Sequence, residues 1–150
     1  MNPPTSKWIE KAEEDFAAAV VLSRRRKPVM PGVVCFHCQQ CAEKYLKGRL
    51  CEAGIEFPKT HNLNSLLDLV LPVEPLWESL RPALLRLGVY AVWYRYPGQQ
   101  ATLTEAKEVL ELCRIIRSHA RQSLGLDKPP QPPLRVREKP ARYRVKRQKK

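Results

Sequence analysis

At 150 residues the chain has the length of one domain able to bury a core and is short for two. Lys and Arg outnumber Asp and Glu by 27 to 15, a formal net charge of +12, but ten basic and two acidic residues fall at positions 126–150, so +8 lies there and only +4 on the body. Attraction to nucleic acid is thus expected mainly of the C-terminal segment; with no uncharged apolar run of about 18 residues and no basic-then-apolar N-terminus, the reading is a soluble, cytoplasmic protein rather than a membrane or secreted one.

Pro3-Pro4-Thr5-Ser6 reads as a helix start with Thr5 or Ser6 as cap, after which Trp8, Ala12, Phe16, Ala19 and Val20 recur at three- and four-residue spacing. Glu10, Glu13, Glu14 and Asp15 in its first half and Arg24, Arg25, Arg26 and Lys27 at its end match the helix macrodipole. Pro28 and Pro31-Gly32 stop it. A second helix is predicted over 33–53, with Gly54 ending it in the left-handed conformation. A loop over 55–60 contains Pro58. A short helix over 62–71 follows, with Leu63, Leu66, Leu67 and Val70 in one apolar stripe before Pro72.

Pro75 suits the first turn of the next helix, which extends through Tyr94 with a kink or break near 79–82, where Pro82 removes a backbone donor. Arg95-Tyr96-Pro97-Gly98 is a turn by composition. Thr102-Leu103-Thr104-Glu105 fits a capping box, opening a last helix whose Ala106, Val109, Leu110, Cys113, Ile116 and Ala120 lead to a stop at Gly125. No segment has strand character. The expected fold is all-α, an antiparallel bundle of about five helices over 1–125. A Pro-rich, basic tail over 126–150 cannot bury enough apolar surface to offset its ordering entropy and is expected to be disordered or extended.

Five cysteines, Cys35, Cys38, Cys41, Cys51 and Cys113, are an odd number and read as free thiols rather than a disulfide framework. Cys35, Cys38 and Cys41 surround His37 at metal-like spacing, but on a helix they fan over about 120° and no second ligand pair is present. They read as small core hydrophobes; no metal and no cofactor is expected.

Gln39 and Gln40 share that helix and need amide partners if buried, such as the loop backbone around Lys59, Thr60 and His61. The alternative is that Gln40, Lys44, His61 and Arg95 line a polar groove for a nucleotide or phosphate. Arg95 stands between Tyr94 and Tyr96, suited to stacking and bidentate anion contact, or equally to an ion pair. His61 follows Thr60 at a helix start, where a capping role is expected. In the tail, Arg135, Arg137, Arg142, Arg144, Lys146 and Arg147 interleave with Tyr143, a pattern that holds phosphates by counterion release and stacks a base, or that only keeps a chain soluble.

Phe36, Gln39, Gln40, Ala42, Glu43, Lys44 and Leu46, then Thr60-His61-Asn62-Leu63, then Arg95-Tyr96-Pro97, occur in this order within helical patterns. Together they resemble the HEPN family of small helical-bundle proteins, with its Phe-x-x-Gln-Gln-x-x-Glu-Lys-x-x-Lys helix and its Thr-His-[Asp/Asn]-Leu motif, from about Trp8 to Gly125. The resemblance implies a homodimer paired through long helices and a minimal nucleotidyltransferase as partner in a toxin–antitoxin-like system. Where catalysis occurs in that family it is metal-independent RNA cleavage, by an Arg and a His four to six residues further on, with two subunits forming one site.

Arg95 corresponds to that Arg, but Gln100, Ala101 and Thr102 stand where the His is needed, so no imidazole is supplied to take the 2′-hydroxyl proton. Arg114 and His119 match by spacing, yet lie inside the last helix about 140° apart around its axis. The resulting expectation is a non-catalytic nucleotide- or RNA-binding accessory protein with Gln40, Lys44, His61, Arg95 and Tyr96 as ligand residues. The alternatives are an RNase toxin using Arg114 and His119, or Arg95 with His37 or His61, and a structural dimerisation module.

Overall fold

The computed structural model of the protein describes residues 1–93 and 96–127. Arg95 and the tail from 128 onward therefore lie outside the described residues. The first helix, α1 (Pro3–Ser23), begins earlier than Thr5 or Ser6. Asn2 is its cap, the side chain accepting from the Thr5 amide at 2.9 Å, and Pro3 and Pro4 fill the first turn, where an N–H has no helical partner anyway. With the helix running over these bounds, its acidic residues lie past the first turn and the macrodipole does not account for them, whereas Arg24 is the C-cap and the basic run follows it directly.

The central helix α2 (Pro31–Glu52) buries residues on nearly every side, among them Val34, Cys38, Cys41, Tyr45, Leu46 and Leu50, which marks it as the core of the bundle. It lies antiparallel to α1: Asn2 reaches Glu52, Glu13 reaches Tyr45 and Asp15 reaches His37. They pack closely at Gly48, where a Cβ would stand 2.8 Å from Ile9 Cδ1 and 3.3 Å from Trp8 Cβ. Gly54, at φ 68°, then turns the chain after α2.

The short helix α3 (Leu63–Val70) is capped by the Asn62 side chain, which accepts from the Ser65 amide at 3.0 Å; His61 is not its cap. Its apolar stripe is fully buried. The break expected from Pro82 is present: a 3-10 turn (Pro75–Leu80) leads into α4 (Arg81–Gly88), which holds Pro82 in its first turn. A second break at Val89, with no proline to announce it, separates α4 from α5 (Tyr90–Trp93). The last helix, α6 (Leu103–Ser123), opens on Thr102, whose hydroxyl accepts from the Glu105 amide at 3.1 Å. The Glu105 carboxylate accepts from Tyr90 Oη at 2.8 Å rather than closing the capping box.

Because α3 and α4 intervene, α6 returns parallel to α2 and antiparallel to α1, contacting Cys38 and Cys41 near its middle and Tyr45 and Arg49 near its end. Among the described residues none is in a strand, and no helix is long and apolar enough to cross a membrane.

Candidate functional site

Three carboxylates organise the polar interior. Glu43 on α2 accepts from Lys47 Nζ at 2.8 Å, from Gln39 Nε2 at 3.1 Å and from His61 Nδ1 at 3.0 Å. Gln39 and Lys47 stand one helical turn to either side, so one face of α2 carries the whole set. Burial pushes the Glu43 carboxyl up, but these three donors outweigh it and hold the group below its usual range. Lys47 is itself buried and lies over Trp8, 5.4 Å from the ring centroid, and over Phe57.

Asp15 on α1 accepts from His37 Nδ1 at 2.8 Å and from Lys44. Glu13, one turn before the α1 face of Phe16, accepts from Arg117 at 2.8 and 2.9 Å, from Arg121 at 3.2 Å and from the Tyr45 hydroxyl. Burial again raises the Glu13 carboxyl, and the two guanidinium groups with Tyr45 bring it below its usual range. Glu13 and Asp15 are thus cross-helix anchors, with partners up to 108 positions away, whereas Glu14 pairs within α1 with Lys11.

These contacts decide where the anticipated ligand residues stand. Gln40 donates to Gln39 Oε1 at 2.7 Å, and Gln39 donates to the His61 carbonyl at 3.4 Å, so the glutamines do satisfy the loop before α3. Through Gln39 the structure brings Gln40 and His61 into one network. Lys44 turns away from it to Asp15, its charge matched there. Tyr96 is exposed, and Arg95 lies outside the described residues, as do Arg135, Arg137, Arg142, Tyr143, Arg144, Lys146 and Arg147. A single groove formed by Gln40, Lys44 and His61 is not what the geometry gives.

Arg114 pairs with Glu111 at 3.3 Å and lies over Phe16, 5.8 Å from its centroid, whereas His119 is exposed elsewhere on α6. Within one chain the two do not converge. Cys35, Cys38, Cys41 and Cys113 are fully buried and Cys51 partly so. Burial pushes the Cys35 thiol up to about 11, and contact with Cys113 together with burial raises Cys38. Among the described residues no group of three His, Cys, Asp or Glu is arranged to hold a metal ion.

Two concavities were not foreseen. One, of about 590 Å³, opens between the α1–α2 connection and the start of α6 and is lined by Val29, Met30, Val33, Tyr90, Gln100 and Leu103. Its sequence signal was faint: Val29 and Met30 are large apolar residues stranded between prolines, where a loop would not ordinarily carry them. The other, of about 410 Å³, runs past His61, Asn62 and Asn64 to Leu85, Gly88 and Val92. Both fall in the size range of ligand clefts.

Among families of known proteins, the HEPN domain matches residues 5–122 of this chain. The solved structure of an archaeal HEPN homologue is similar, with a TM-score of 0.65 and 25% sequence identity, the likeness covering 80% of this chain and 97% of that one. No match is found among curated proteins.

Proposed function

Because this chain belongs to the HEPN domain family, we propose that it is a non-catalytic nucleotide- or RNA-binding accessory subunit, cytoplasmic and homodimeric, that partners a minimal nucleotidyltransferase in a toxin–antitoxin-like system. The observation that carries this reading is that neither arginine matched to the nuclease pattern has its histidine beside it. His119 stands on α6 without convergence on Arg114, which pairs with Glu111. The turn after Arg95 offers Gln100, Ala101 and Thr102, none of which titrates near neutral pH. Pairing of two copies is supported by exposed apolar side chains on the α4 to α5 segment, Leu85, Val89 and Val92 at 53%, 53% and 55% exposure, of which Leu85 and Val92 line the 410 Å³ cleft. The concentration of charge in the tail supports RNA as a ligand.

The test is incubation of the purified protein with total RNA or tRNA in chelator, beside a direct binding measurement with the same RNA. Bound but intact RNA is the expected result. Cleavage that disappears in Arg114→Ala or His119→Ala would overturn it.

One observation favours the nuclease reading in a different form. His61 is 63% exposed, its Nδ1 is held by buried Glu43, and its Nε2 is left to solvent beside the 410 Å³ cleft. A carboxylate that fixes the tautomer leaves Nε2 as a proton acceptor, the arrangement a general base needs. RNA cleavage lost in His61→Ala but retained in His119→Ala would establish that version.

A further inference from the structure

Where the α1–α2 connection meets the start of α6, apolar surface lies open to water. Val29 and Leu103 are large apolar side chains, 47% and 53% exposed, and both line the 590 Å³ cavity. Met30, Pro31 and Val33 continue its wall, and the ring of Tyr90 is fixed there by the bond from its hydroxyl to Glu105. The polar side chains of the lining are those of Gln99, Gln100 and Tyr90 alone. A concavity of this size with apolar walls is the usual form of a small-molecule site.

Charge adjoins it. Arg25 and Lys107 line a narrow groove of about 30 Å³ that shares Val29, Met30, Pro31 and Leu103 with the cavity. Both cations are exposed, and neither has an ion pair among the described residues. The carboxylates nearest Lys107 along α6 are engaged elsewhere, Glu105 with Tyr90 and Glu108 with Arg86. Arg24, Arg26 and Lys27 flank Arg25 and are likewise exposed and without an ion pair among the described residues. Unmatched cations gathered in one place raise one another's energy, so this edge favours an anion. The cavity behind it sets the opposite demand. A body with polar edges would lose its water against these walls and regain few hydrogen bonds, a cost that a hydrocarbon does not incur. The matching occupant is a small anionic head on an apolar body.

We propose that the cavity binds a free aliphatic carboxylate of medium chain length, a fatty acid, with its head at Arg25 and Lys107 and its chain against Val29, Met30, Tyr90 and Leu103. The Arg25 guanidinium offers a planar pair of donors that matches a carboxylate, and the Lys107 ammonium adds a point charge. Arg24, Arg26 and Lys27 raise the local potential from outside the groove. The site goes beyond the nucleotide- or RNA-binding reading and stands independently of it, since Gln40, Lys44 and His61 line neither the cavity nor the groove.

The experiment is calorimetric titration of the full chain with octanoate, decanoate and dodecanoate, each below its micellar concentration, and with decanol as the uncharged control. Affinity should rise about fourfold for each added methylene until the chain fills the cavity. Arg25→Glu/Lys107→Glu should weaken decanoate binding about tenfold or more and leave decanol unchanged, whereas Val29→Asn/Leu103→Asn should weaken both. All four positions are exposed, and thermal unfolding confirms that each variant is folded. No binding of decanoate by wild type, or binding that Arg25→Glu/Lys107→Glu leaves intact, overturns the site. Displacement of decanoate by adenosine monophosphate also overturns it, by assigning the cavity to nucleotides. So does sedimentation with phosphatidylserine vesicles of a protein that takes up no monomeric decanoate, which would make this surface a membrane contact.

Discussion

Replacing Glu43 by Gln keeps the shape of the side chain and removes the charge that balances Lys47, whose ammonium is almost wholly enclosed. Losing one partner of a buried ion pair costs about 3–5 kcal/mol. The rings of Trp8 and Phe57 beneath the ammonium offset about 1 kcal/mol of this, leaving a net loss of roughly 3 kcal/mol. For a domain of this size that corresponds to a fall in Tm of about 10 °C. Urea and thermal unfolding followed by circular dichroism would measure it, with the double variant Glu43→Gln/Lys47→Met as the control. Removing both charges leaves no ion stranded, so the double variant should regain most of the loss. A single variant within about 1 kcal/mol of wild type, or a double variant as unstable as the single, would refute the argument. The pH dependence has a defined sign. Since the folded Glu43 carboxyl titrates below its ordinary value of 4.5, its stabilisation is fully present above that pH and is lost as the pH falls through the folded value. The gap between wild type and Glu43→Gln should therefore be widest near neutrality and close on acidification below about 4.5.

Deleting positions 126–150 removes ten of the 27 basic residues and should weaken RNA binding and flatten its salt dependence while leaving mononucleotide binding unchanged, as read by titration at several salt concentrations. Arg95→Ala should abolish mononucleotide binding while most of the salt slope persists, which the same titration reads. Under native conditions a thiol reagent at pH 8 should label Cys51 quickly and reach Cys35, Cys38, Cys41 and Cys113 only on unfolding, as counted by mass spectrometry. Leu85→Glu/Val92→Glu should shift the proposed dimer to a monomer in sedimentation velocity without lowering helicity, since both side chains are already exposed in one copy.

The helices were legible because their apolar positions repeat and their ends carry local chemistry: Gly54, Pro82, Thr102 and Gly125 each act within a few residues of themselves. The start of α1 was misplaced for an equally local reason. Thr5 and Ser6 are good caps, but Asn2 is a better one when two prolines follow, and Thr5 is spent in the buried first turn, its hydroxyl bonded to Asn2. The site was far less legible. Glu13 and Asp15 have the same local surroundings whether they serve a helix dipole or, as here, arginines on α6 and the His37 and Lys44 of α2, and nothing within a few residues distinguishes the two. His61 is a comparable case: beside Thr60 and Asn62 it resembles a cap, and only the fold brings Glu43 to its ring. Of the expected ligand residues, the network of Gln40 and His61 was anticipated in its bland form, as support for the loop before α3.

Gly48 carries a consequence for any recombination of this chain with its relatives. With Ile9 and Trp8 seated directly on its backbone, α1 and α2 mesh like a keyed shaft, and the key lies at one end of the contact. From there Asp15, six residues along α1, falls between Lys44 and His37, four and eleven residues back along α2, and bonds to both. A one-residue insertion on either side would rotate every partner beyond it by about 100°, turning Asp15 from His37 and Glu13 from Tyr45. A transplanted first helix is therefore interchangeable only if its spacing between the residue over the glycine and the carboxylates is identical, however similar its composition. Gly48→Ala, which obliges the end of Ile9 to shift and Trp8 to give slightly, should be tolerated less well than an alanine at Gly32, where a Cβ meets nothing within 4 Å.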